Sequence, residues 1–96
     1  MAAPPLKARY RRSSAVSASQ VGSRQVLFDA DTGTSLVLNP TGSLIWQWLA
    51  EPAAPEVLIE RLVATFDGLS AAQAHDDLAT YLVELVEDGV IHGDDA

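Results

Sequence analysis

The run "AAQAHDDLATYLVELVE" is too apolar for a helix lying on a surface, so the chain must cover it on more than one side. Ser70 in front of it, with Gln73 three residues on, forms a capping-box pattern, and Gly89 behind it supplies a stop. The spacing therefore predicts a helix from Ser70 to about Asp88. Stepped at about 100° per residue, Ala74, Leu78, Tyr81, Leu82 and Leu85 share one face. His75, Ala79, Val83 and Val86 widen that face on one side, and five acids fill the remainder. The apolar arc is roughly 200° wide, whereas a one-sided helix needs only about 100° or slightly more. Two readings stay open. The helix is sandwiched between other helices and a sheet, or the shoulder Ala79–Val83–Val86 lines a groove that a partner fills, with Asp76 and Glu87 at its border to favour basic residues.

The rest of the chain supplies the covering elements. "AVSASQV" and "RQVLFDA" read as strands joined by a turn at Gly22-Ser23. "DADTG" is a hairpin loop with Gly33 at a positive φ, and "TSLVLN" is a third strand. Asn39 then caps a helix whose first position is Pro40. Pro52 and Pro55 end that helix and begin the next, "PEVLIERLVATF", which Asp67-Gly68 terminates. The expected fold is α+β and winged helix-turn-helix-like: a three-stranded antiparallel sheet followed by three helices. Trp46 and Trp48 fall on opposite shoulders of one apolar face and read as core. Residues 1–14, rich in Pro, Arg and Ser, read as a flexible basic arm; residues 15–92 form the domain; residues 93–96 form an acidic tail.

Several function classes fit poorly. The 96 residues allow one domain, and 48% of them are apolar, enough for a core. There is no cysteine, and no apolar run approaches the roughly 20 residues of a membrane span. The basic N-terminus lacks a following apolar stretch, so the expectation is a cytoplasmic protein with no membrane partner. Charge is segregated: residues 1–28 carry +5, residues 29–96 carry −12. From Leu62 to Ala96 there is no Lys or Arg, so the third helix offers nothing to a phosphate backbone, and no nucleic-acid partner is expected. His75 and His92 are 17 residues apart with no ligand spacing, and no phosphate loop or armed nucleophile is present. No metal, cofactor or catalytic residue is expected, and the chain does not read as an enzyme.

The third strand carries a positive signal. "TSLVL", Thr34 to Leu38, has no charge and no proline to guard it, unlike a protected sheet edge. It is suited to accepting an added strand, unless the arm or a second protomer covers it.

The ordered set "VLFDADTG", "LNPT", "IW" and "LVELVEDGV" resembles the PqqD-like domains, also called RiPP recognition elements, over about residues 15–92. It departs from their pattern before Leu38-Asn39-Pro40, where an aromatic residue is common and Ser35-Leu36-Val37 stands instead. The resemblance implies a small winged-helix-like module that binds the leader segment of a ribosomally made precursor peptide. The leader would add as a strand to Thr34, Ser35, Leu36, Val37 and Leu38, beside a third helix offering Asp76, Ala79, Val83 and Val86. It further implies a processing enzyme as second partner; the chain looks most like the leader-binding component of lasso-peptide biosynthesis, where that enzyme is a leader peptidase. The alternative is a winged-helix regulatory or dimerisation domain.

Overall fold

A computed structural model of the chain describes residues 6–95. The elements are β1 (Arg9–Arg12), β2 (Val16–Val21), β3 (Arg24–Asp29), β4 (Thr34–Val37), α1 (Pro40–Trp48), α2 (Pro55–Thr65), α3 (Ala71–Glu87) and β5 (Ile91–Asp94). The expected three-stranded antiparallel sheet is present in the order β2-β3-β4, followed by the three expected helices. Leu27 stands opposite Leu36, and Val26 opposite Val37. Opposite residues share a face, so Leu27 and Leu36 point to the core while Val26, Phe28, Ser35 and Val37 lie on the outer face. The β3–β4 turn depends on Gly33, whose φ is 73°.

Local chemistry fixes α1 against this sheet. The Asn39 side chain accepts a hydrogen bond from the Gly42 amide at 2.8 Å, and Pro40 opens the helix. Ser43 Oγ, buried under the sheet, accepts from the Gln25 amide at 2.8 Å and donates to the Leu38 carbonyl at 3.4 Å. A backbone donor and acceptor from neighbouring strands are thereby satisfied by one helix side chain. Ile45, Trp46 and Leu49 enter the core from α1, Leu58 and Leu62 from α2, and Leu78, Leu82 and Leu85 from α3. Trp48 is half-buried at the core's edge. The capping box at Ser70 and Gln73 is formed in both directions.

The ends of the chain depart from expectation. Residues 9–12, assigned to a flexible arm, form β1, which pairs antiparallel with β5 to make a second, two-stranded sheet. That strand takes up residues 93 and 94 of the expected acidic tail. The physical reason is Tyr10. It is buried in the core, and its backbone exchanges hydrogen bonds with Ala53 at 2.9 and 3.0 Å. Three arginines around it hide the alternation that would mark a strand. Two of the basic residues at this end meet acids at the other. Arg11 Nε is 3.2 Å from Asp94 Oδ2, and Lys7 Nζ is 3.2 Å from Asp95 Oδ2. Residues 1–5 of the expected arm and Ala96 of the tail lie outside the described residues.

Arg12 joins β1 to α1. Its Nε and Nη2 donate to the Trp46 carbonyl at 3.0 and 2.6 Å, and its guanidinium lies 4.4 Å from the centre of the Trp46 ring. The last turn of α1 contains no basic residue of its own, so β1 supplies the positive charge that a helix C-terminus favours. Burial lowers the pKa of this guanidinium from its ordinary value.

Candidate functional site

Strand β4 is the edge of its sheet and pairs only with β3 among the described residues. The Leu38 amide donates to the Gln25 carbonyl at 2.9 Å, which sets the phase of the ladder. Leu38 and Leu36 direct their backbone groups toward β3, and Ser35 and Val37 direct theirs outward. The free edge therefore offers two amides and two carbonyls. Its sequence has no charge, proline or bulge to block pairing.

Beside this edge runs one shoulder of α3. A hollow of about 240 Å³ lies between Thr34, Ser35 and Leu36 on one side and Asp88 and Val90 on the other. The next, of about 230 Å³, lies between Leu36–Asn39 and Tyr81, Glu84, Leu85 and Asp88. The two share Leu36 and Asp88. One helical turn from Tyr81, Asp77 lines a third hollow of about 310 Å³, with Thr41 next to Gly42 of the second. The three hollows lie in series along the Gln73–Asp77–Tyr81–Asp88 side of α3, the first two sharing lining residues and the third one helical turn further on, and together they are called the trough. An Asn39 Nδ2–Tyr81 Oη hydrogen bond of 2.9 Å ties the end of β4 to the helix across the trough. Asn39 thus both caps α1 and holds the trough wall.

The electrostatics are one-sided. Asp29, Asp67, Asp77, Glu84 and Asp88 line the trough, and Arg24 is the only base there among the described residues. None of the five carboxylates forms an ion pair among the described residues. Among the described residues no group of three or more potential metal ligands occurs.

Thr34, Ser35, Leu36, Val37 and Leu38 all line the trough. The α3 residues singled out from sequence do not meet them. Ala79 is fully buried, and Asp76 is exposed, with its Oδ1 3.6 Å from His75 Nδ1. Val83 and Val86 face the other way, lining an apolar hollow against Lys7, Tyr10 and Gly93 of the β1–β5 side. The shoulder beside β4 belongs instead to Tyr81, Glu84, Leu85 and Asp88. Periodicity alone assigned the wide apolar arc to helix, core and groove without a handedness. The β1–β5 ribbon takes up the Val83 side; of the acids, Asp77, Glu84 and Asp88 lie furthest round the helix from Val83 and mark the β4 side.

The family model described as coenzyme PQQ synthesis protein D (PqqD) matches residues 24–91. No curated protein sequence matches. Among solved structures, TbiB1 in complex with the TbiA(β) leader peptide is similar at 28% identity and a TM-score of 0.80, covering 86% of this chain and 95% of that one. A lasso peptide synthetase B1 complexed with the leader peptide is similar at 26% identity and a TM-score of 0.74, covering 86% and 96% respectively.

Proposed function

The chain belongs to the PqqD family, and from that premise we propose that it is a non-catalytic module that binds the leader segment of a ribosomally made precursor peptide. Two structural relatives are complexes with leader peptides, which supports the ligand class. The observation that carries the reading is the unguarded β4 edge lying beside a trough on α3. In this reading the leader adds as a strand to Ser35 and Val37, directs alternate side chains into the trough, and is presented to a processing enzyme, a leader peptidase in a lasso-peptide pathway.

Magnitudes show why both parts are needed. Four added backbone bonds at about 0.5–1.5 kcal/mol net give roughly 2–6 kcal/mol. Association itself costs about 4–15 kcal/mol. Backbone pairing alone does not hold a peptide, so side chains must fill the trough against Leu36, Leu85 and Tyr81.

Peptides selected from a displayed library of random 15-residue sequences on the full chain test the proposal. Val37→Pro removes an outward amide at an exposed position and is expected to weaken the selected peptides at least tenfold. In amide hydrogen exchange, Ser35 and Val37 should exchange rapidly in the free protein and become protected in the complex. Peptides that bind V37P as tightly as the wild type, with no protection of those two amides, would refute strand addition.

A further inference from the structure

The trough extends beyond the reach of β4. From Gln73 to Asp88 the helix rises about 22 Å, while the four residues of β4 span only about 13 Å. A peptide paired along β4 thus needs roughly three more residues to pass the Asn39–Tyr81 bridge and reach the far hollow. That hollow, at the α2–α3 end, is also the largest of the three in the trough. Its walls are Leu62, Phe66 and Leu69, and Asp67 and Asp77 stand among its lining residues. Phe66 leaves 36% of its surface open, more than a core aromatic would.

This combination selects for one kind of side chain. Apolar walls suit a methylene stem, carboxylates suit a cationic head, and an open aromatic ring accepts a cation over its face. A carboxylate-bearing residue is repelled, and a purely aliphatic one gains nothing from the two exposed acids. We propose that the α2–α3 end of the trough is a second subsite, which takes a lysine or arginine side chain of the bound peptide. The inference rests on the leader-binding reading above. In an antiparallel addition the peptide runs opposite to β4, so this basic residue precedes the paired residues by about three positions.

The same 15-residue library, selected on the wild-type chain and on D67N/D77N, tests it. The wild type is expected to enrich Lys or Arg at one position ahead of the β4-paired segment, and the double variant to lose that preference. Replacing the enriched lysine by norleucine in a selected peptide should lower affinity roughly tenfold for the wild type at low salt and leave D67N/D77N nearly unchanged. If V37P abolishes binding but no basic position is enriched, or the preference survives in D67N/D77N, the subsite is overturned and the leader-binding reading stands. If no peptide is selected, or V37P binds normally, that reading falls and the subsite falls with it.

Discussion

The Trp46 carbonyl near the end of α1 receives a 3.2 Å bond from the Leu49 amide and two further donors from Arg12. Removing those donors should matter more than a surface charge normally does. Arg12→Ala is expected to destabilise the fold by about 1–3 kcal/mol in urea unfolding, and Arg12→Lys to recover less than half of that, because an ammonium cannot form the fork. Asn39→Ala should cost about 0.5–2 kcal/mol for the lost cap. It also cuts the tie to Tyr81, so peptide affinity should fall with stability. Of these two residues one was legible. Asn39-Pro40 announces a helix start within two positions. Arg12 acts on a carbonyl 34 residues away, and no local pattern marks that pairing.

Elements were legible where their signals are local: the capping box of α3, the hairpin at Gly33, the prolines that separate α1 from α2. Strand β4 was legible as an unguarded edge because what matters there is the absence of charge. Which side of α3 adjoins β4 was not, since it follows from the path of the chain ends. The assignment can be checked directly. Tyr81→Ala should weaken peptide binding several-fold, whereas Val83→Asp should leave affinity within about twofold while lowering stability. Isothermal titration beside thermal melts separates the two effects. The reverse pattern would return the groove to the Val83 shoulder.

For the whole molecule, the β1–β5 ribbon closes the fold on itself. Its stability should come from Tyr10 and not from the charges that flank it. Tyr10→Ala is expected to cost about 3–5 kcal/mol, as for other buried aromatics. The Lys7–Asp95 and Arg11–Asp94 pairs are about half exposed or more, so 0.5 M salt should change the melting free energy by less than about 1 kcal/mol. Gly93 stands opposite Tyr10, and a Cβ placed there would come within 3.0 Å of the Tyr10 ring and 2.6 Å of Lys7 Cγ. A bulky substitution such as Gly93→Val should therefore reproduce part of the Tyr10→Ala loss.

The pairing of Arg9 with Asp94 brings the two ends of the described chain side by side, and it does so across α3 from the trough. Entry and exit at one point make a plug-in geometry. A host protein could carry this fold in a surface loop, through two short neighbouring tethers, with the trough still facing open solvent.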